Sequence, residues 1–288
     1  MSIAPGSWRI GGLSGVEETP ATVITPKDGV SVGWRQLWRY RGLAWTLLWR
    51  DVQVRYKQTL LGAAWAVIQP LALMVAASVV FGWLLGLDAR VEGSYALFAY
   101  AGLVPWTLFA AGTTAASNSL LANAHMLQKV YFPRLVLPVS AIGAPLVDFA
   151  ASGAVLLGWL IWQGSITWQA AVVLPLAGAS IALAALGVGT LLAAMTATYR
   201  DLRLAVPLLL QVWFFLTPVV YPLPVSPRWE WVLSMNPVYG PIQACRAAML
   251  SQPVPMAMWA VSLLAALACW QVAAGCFARV HKRLADVI

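Results

Sequence analysis

The feature that most restricts this sequence is a set of apolar stretches, each near or above the roughly 20 residues that cross a hydrocarbon core. Six are marked, at 60–87, 95–118, 135–162, 170–198, 204–221 and 254–278. The rest of the chain agrees with them. Of 288 residues, 61% are hydrophobic and only 10% are charged, whereas a soluble domain carries about 25% charged residues. So few charges cannot cover a water-facing surface. The expected fold is all-α and integral to the membrane, with six transmembrane helices in a domain over 34–288 and a flexible cytoplasmic tail over 1–33. That tail is rich in Gly, Pro, Ser and Thr and has no apolar core, which argues against a cleaved signal peptide.

Charge sets the expected orientation. Of the 18 Lys and Arg residues, 15 precede the first span, follow the last, or lie in the second-to-third and fourth-to-fifth connections. Arg90, Arg228 and Arg246 fall on the other side. Basic residues concentrate on the cytoplasmic face, so both termini are expected in the cytoplasm. The net charge of +8 then reads as topology and headgroup contact, not as a nucleic-acid surface. Trp83, Trp159, Trp162, Trp168, Trp229, Trp231 and Trp259 fall near the expected outer boundary, the level that amphipathic indoles prefer.

Two segments are neither spans nor simple loops. On a helix over 34–52, Trp34, Leu37, Trp38, Trp45, Leu48, Trp49 and Val52 share one face, while Arg35, Arg39, Thr46 and Arg50 share another. Arg41 interrupts the stripe and Leu43 and Leu47 lie off it. Such a pattern describes an amphipathic interface helix lying in the headgroup region. Between spans five and six, Pro222, Pro224, Pro227, Pro237, Pro241 and Pro253 preclude one continuous helix. The apolar pieces Trp229–Leu233 and Ile242–Leu250 are too short to span, and are expected as short re-entrant or outer-face helices.

Catalytic chemistry is thin. No Lys follows a Gly, so no G-x-x-x-x-G-K-[ST] nucleotide loop is present. Leu13-Ser14-Gly15 resembles an ATPase signature only by coincidence. His125 and His281 both take cytoplasmic positions, and Cys245, Cys269 and Cys276 have no metal or disulfide spacing. No metal site and no catalytic residue is expected, and the chain is not read as an enzyme. Asp148 is the one ionisable residue deep in an expected span. Leaving it in lipid costs roughly 2.5–3.5 kcal/mol, so it should face protein or water. Two readings stand for it, a pathway lining or gate and a structural hydrogen bond. The spans also carry Trp65, Phe81, Tyr100, Trp106, Trp213, Phe214, Phe215 and Tyr221, either as a lining on which sugar faces slide or as ordinary packing. Gly82 and Gly86 form a G-x-x-x-G that can mark close helix packing. Over Ser119 to Phe132, Leu120, Leu121, Ala124, Leu127 and Tyr131 recur at near-helical spacing, as a docking helix or as a surface connector.

Several strings carry a resemblance. Arg50-Asp51-Val52, Arg55-Tyr56-Lys57-Gln58, Leu61-Gly62, Trp65-Ala66 and Gln69-Pro70 resemble the opening of type-2 ABC exporter permeases. Lys129-Val130-Tyr131-Phe132-Pro133-Arg134 with Leu137-Pro138 resembles their first cytoplasmic loop, and Tyr199-Arg200-Asp201 their second. Gln211, Thr217-Pro218-Val219-Val220-Tyr221-Pro222, Asn236-Pro237 and Arg246 resemble the fifth span and the outer segment. The resemblance covers residue 34 to the C-terminus and is nearest to permeases for O-antigen and related cell-surface polysaccharides. It implies a homodimer in the bacterial cytoplasmic (inner) membrane, working with two copies of a nucleotide-binding ATPase. ATP and Mg would be bound by that partner and no cofactor by this chain. The implied substrate is a polyprenyl-pyrophosphate-linked glycan. Trp65, Phe81, Tyr100, Trp106, Asp148, Trp213, Phe214 and Tyr221 become pathway candidates. Arg35, Arg39 and Arg41 become pyrophosphate contacts. Leu121, His125, Leu127, Lys129, Tyr131, Arg200 and Asp201 become ATPase-coupling candidates. The rivals are teichoic acid, capsule or a hydrophobic drug on the same architecture, and a polytopic lipid-linked glycosyltransferase. A proton-coupled transporter would need a second intramembrane charge for a relay, and the expected spans hold none beside Asp148.

Overall fold

Among the described residues every regular element is helical, and five helices are long and apolar enough to cross a membrane. The structure is a computed structural model that describes residues 38–57, 62–91, 93–129, 132–199, 201–222 and 227–287. All of them belong to one unit, Val32–Ile288. The expected tail over 1–33, Arg35, Tyr131 and Arg200 lie outside the described residues.

In chain order, α1 is Arg41–Lys57, α2 is Ala64–Ala77 with a π-helical continuation Ser78–Leu84, and α3 is Tyr95–Ala122. A six-residue α4 (Ala124–Lys129) leads to α5 (Val136–Ala141) and α6 (Gly143–Trp162), then α7 (Trp168–Thr198) and α8 (Leu202–Leu216). Two short helices, α9 (Pro227–Ser234) and α10 (Tyr239–Met249), precede α11 (Met256–Val287). The five candidate spans are Ala64–Leu84, Tyr95–Ala122, Val136–Trp162, Trp168–Thr198 and Met256–Phe277. The stretch expected as a span at 204–221 is helical only over 15 residues, Leu202–Leu216. At 1.5 Å per residue that is about 22 Å, short of a hydrocarbon core of about 30 Å. Pro218 stops it by pushing the residue before it out of the helical region, and Thr217 is extended at φ −102°, ψ 123°.

The helices divide into a buried centre and an exposed edge. In α3, 78% of the most apolar stretch is buried, against 11% for α2. The chief partners of α3 and α11 are faces of α7 rich in small residues. A Cβ on Gly189 would lie 2.6 Å from Ala116 Cβ of α3, and one on Gly187 would lie 2.9 Å from the Trp270 nitrogen of α11. These two glycines let α7 approach both neighbours, and replace a larger contact area with backbone proximity. Within α2, Pro70 has no N–H for the Ala66 carbonyl. Ser152 Oγ of α6 donates to that carbonyl at 2.7 Å. A polar group freed in a membrane helix is thereby met by a neighbouring helix.

The structure adds detail to three expectations. On α1 the protein-facing side carries Leu47 and Val52, with Leu43 half-buried, whereas Trp38, Trp45 and Trp49 are exposed. Leu43 and Leu47, off the tryptophan stripe, hold the helix to its neighbours together with Leu48 and Val52 from the stripe's edge. Gly143 lies where α1 crosses, and a Cβ there would overlap Leu48. Gly82 and Gly86 do not act together. Gly82 accommodates the Tyr95 ring, while Gly86, at φ 64° with open space around it, ends the helix. Trp83, Trp162, Trp168, Trp229 and Trp231 are exposed, but Trp259 is buried and donates Nε1 to Ser180 Oγ at 3.1 Å. Trp159 is half-buried, 6.4 Å from the Tyr100 ring.

Candidate functional site

A cleft of about 920 Å³ opens between α2, α3 and α8, closed at one side by the end of α1 and Asp148 of α6. Each helix contributes one stripe. From α2 come Trp65, Gln69 and Leu73, four residues apart. α3 supplies Thr107, Ala111, Thr114 and Asn118, at helical repeats of four, three and four. Pro207, Gln211, Phe214 and Phe215 complete it from α8. Side chains at these spacings stack on one helix face. The space exists because α3 turns alanines toward it, Ala110, Ala111 and Ala115.

One part of the lining is charged. Arg55 Nη2 of α1 pairs with Asp148 Oδ2 at 2.7 Å, with the side chains 43% and 16% exposed. The Tyr56 hydroxyl donates to Asp148 Oδ1. Burial, the bond to Asp148 and its negative charge push the Tyr56 phenol up to about 12, opposed by the Arg55 charge. Tyr56 therefore remains a donor at any physiological pH. Elsewhere the lining is neutral. Thr107 Oγ1 donates to Val104 O and Thr114 Oγ1 to Ala110 O, both at 2.8 Å, and Asn118 Nδ2 donates to Thr114 O at 2.9 Å.

The non-helical turn Thr217–Tyr221 follows the Phe214–Phe215 end of the lining. It is pinned from behind. Arg246 of α10 is 3% exposed, donates Nη1 to Pro218 O at 2.8 Å and Nη2 to Val219 O, and lies 4.0 Å from the Phe98 ring centroid. Tyr95 donates to Val220 O. Trp213 Nε1 donates to Asn236 Oδ1 at 3.2 Å, and Asn236 Nδ2 to Thr217 Oγ1 at 2.8 Å. Strings scattered over the sequence, around Thr217, Asn236 and Arg246, thus meet in one hydrogen-bonded knot.

Of the eight expected pathway residues, Trp65, Trp106, Asp148 and Phe214 line the cleft and the other four do not. Tyr100 is fully buried and bonds Ser152 O at 3.3 Å. Trp213 packs edge-on to Phe109 at 5.1 Å. Phe81 and Tyr221 sit together, rings 6.5 Å apart, with the Tyr221 hydroxyl donating to Phe215 O at 2.6 Å. Arg39 and Arg41 are exposed, and Arg41 lies 5.2 Å from the Trp38 ring centroid. Ser119 to Leu121 belongs to the end of α3, and only Ala124–Lys129 forms a separate helix. On it His125 and Lys129 are exposed, while Leu127 packs against the Leu120, Phe132 and Phe277 cluster. Asp201 is exposed and Leu121 is half-buried. Sequence reasoning gave no role to Gln69, Gln211, Arg55 or Tyr56. The signal was an amide inside an apolar run and an Arg-Tyr pair just before one.

Several apolar helices of crossing length around a cleft define a multi-pass membrane protein. The chain belongs to the ABC-2 type transporter family, whose model matches residues 42–250. Its relatives include the O-antigen export system permease protein RfbA of Myxococcus xanthus, 30% identical over 241 residues, covering 80% of this chain and 90% of the relative. The protein of the same name from Klebsiella pneumoniae is 29% identical over 202 residues, 68% of this chain and 76% of the relative. The polysialic acid transport protein KpsM of Escherichia coli is 23% identical over 210 residues, 71% and 80% of the two chains.

Proposed function

We propose that this chain is the membrane subunit of an ATP-driven exporter that moves polyprenyl-pyrophosphate-linked polysaccharide across the bacterial inner membrane. The observation that carries the reading is the cleft's lining. It combines uncovered rings with neutral hydroxyl and amide groups and keeps its single ion pair at one edge. Rings take the apolar C–H faces of sugars, and neutral polar groups take their hydroxyls. A hydrophobic drug would not need the amides. Relatives named for O-antigen export and for polysialic acid transport support a polysaccharide over teichoic acid. Capsule on the same architecture stands as the alternative polymer.

In this reading six segments cross, α8 serving as the fifth with the pinned turn completing its depth, and α9 and α10 lie at the outer side. Both ends are cytoplasmic, as the division of 15 basic residues against 3 supports. Two copies form the pathway and two ATPase copies bind ATP and Mg. The exposed face of α4, with His125 and Lys129, meets the ATPase together with Asp201. Exposed Trp38, Trp45 and Trp49 support a position of α1 in the headgroup layer, with Arg39 and Arg41 available to the pyrophosphate. ATP-driven closure of the partner shifts the population of cleft conformations rather than performing chemistry on the glycan.

A clean deletion tests this. The strain should lose surface polymer, accumulate finished lipid-linked polymer inside, and regain surface polymer when the chain is supplied from a plasmid with its partner genes intact. Normal surface polymer after deletion would refute the function, and sugar transfer by the purified chain would replace it with a glycosyltransferase.

A further inference from the structure

Gln69 and Gln211 belong to strings that resemble the family, yet nothing in the packing uses them. One comes from α2 and the other from α8, and both line the cleft. Both are exposed, and neither makes a hydrogen bond or ion pair with the described residues. An amide on a membrane-level helix is costly when nothing meets it, so water or a ligand in the cleft must do so.

Each amide has a ring one turn away on the same face. Trp65 precedes Gln69 by four residues and Phe215 follows Gln211 by four, the spacing at which helix side chains are neighbours. Both rings are open, Trp65 at 53% and Phe215 at 59% exposure. Trp106, by contrast, is 6% exposed and packed on Phe109 and Phe214. Most other polar groups of the cleft are occupied, and Asn118 Oδ1, which has no partner, is covered. Thr107, Thr114 and Asn118 donate to their own helix, while Arg55, Tyr56 and Asp148 hold one another. Exposed donor and acceptor capacity on one side chain therefore falls on the two glutamines. A primary amide offers a carbonyl and two N–H donors, which suits a pair of hydroxyls at the rim of a stacked ring.

We infer that Trp65 with Gln69, and Phe215 with Gln211, are two saccharide subsites, each taking one neutral pyranose of a polymer in transit. The inference rests on the reading of the cleft as a glycan path. Neutral amides select sugar hydroxyls, not the phosphate head. Two weak sites in succession hold a chain without trapping it, since conduction requires binding that also releases.

The test substitutes Gln69→Met and Gln211→Met, singly and together, in the deletion strain carrying the plasmid-borne chain and its partner genes. Met is close in length and is welcome in a membrane helix, so insertion is retained. Surface polymer per unit of membrane-inserted chain should fall about three- to ten-fold for each, consistent with one lost hydrogen-bonding rung. The pair should fall further, with polymer accumulating inside. Gln69→Asn and Gln211→Asn keep the amide and should retain more export than the Met variants. Export equal to the unsubstituted chain, a loss that merely tracks protein level, or Asn variants no better than Met would overturn the subsites. If the unsubstituted chain itself restored no surface polymer, the proposed function would fall and the subsites with it.

Discussion

The Arg55–Asp148 pair makes a prediction with an internal sign. Its two members are unequally exposed, 43% for Arg55 and 16% for Asp148. An exposed ion pair contributes about 0–1 kcal/mol, while stripping one partner from a buried pair costs about 3–5 kcal/mol because a bare charge remains. This pair lies between. In Asp148→Asn, the Arg55 guanidinium turns to water, and the new amide oxygen still accepts from Tyr56, so the loss should be only about 1 kcal/mol. In Arg55→Met the carboxylate stays enclosed beside α6 without its cation, and about 2–3 kcal/mol should be lost. Combining the two removes both charges and should cost little more than Asp148→Asn alone. At about 2–4 °C per kcal/mol for chains of 150–250 residues, the melting temperature in lipid nanodiscs should drop about 5–10 °C for Arg55→Met. For Asp148→Asn and for the double variant the expected drop is about 2–4 °C. Equal losses for the two single variants, or additive loss in the double, would refute the argument from unequal burial.

Other substitutions test the packing. Gly102→Ala should abolish stable membrane insertion, because its Cβ would overlap Val219 O and the Arg246 guanidinium, whereas Gly158→Ala, with nothing within 4 Å, should be neutral by size-exclusion profile. Arg246→Met leaves the Pro218 and Val219 carbonyls without their donor, and should cost about 2–4 kcal/mol in thermal unfolding at roughly 1–2 per unmet group. Ser152→Ala strands the Ala66 carbonyl that Pro70 cannot serve, at about 1–2 kcal/mol. Adding Pro70→Ala should recover most of that in the same assay, since a backbone N–H returns.

What the sequence disclosed follows from what hydropathy measures. The runs at 95–118 and 170–198 appear as α3 and α7 because continuous apolar composition over that length has few alternatives in a membrane. The proline-bounded pieces at 229–233 and 242–250 likewise appear as α9 and α10. Composition cannot tell which side of an apolar helix meets protein. Tyr100 and Trp213 read like Trp65 and Phe214 in sequence, yet the first two are spent on Ser152 and on Phe109 and Asn236. The α1 stripe leaves the protein-facing side open for a related reason. Tryptophans dominate any count of apolar faces, but Leu47 and Val52 make the tertiary contact. The end of α8 was legible only locally, in Thr217-Pro218, and a hydropathy window averages over such a dipeptide. The pairing of Arg55 with Asp148 joins residues far apart in sequence, and no periodicity reports it.

Helix α1 is tied down at two points, and that has a measurable consequence. Arg50 Nη2 donates to Asn123 Oδ1 at 2.9 Å, at the junction of α3 and α4, and also pairs with Asp51 at 2.8 Å. Five residues on, about 7.5 Å along the axis, Arg55 holds Asp148 at the edge of the cleft. Buried Val52 fixes the helix between these ties, and buried Leu47 seats it one turn before the first. The two ties give a shift of α4 a route to the cleft edge along α1, outside the α3 core. Sites this far apart with no shared partner normally behave additively to within about 0.3–0.5 kcal/mol. If α1 transmits strain as a unit, Asn123→Ala and Asp148→Asn should instead be coupled. Freeing either end relaxes the helix, so the second substitution should cost at least 0.5 kcal/mol less, about half of the ~1 kcal/mol expected alone. A double-mutant cycle on nanodisc melting temperatures reads this directly. Strict additivity would mean that α1 is merely seated at two independent points, and the helix would carry nothing.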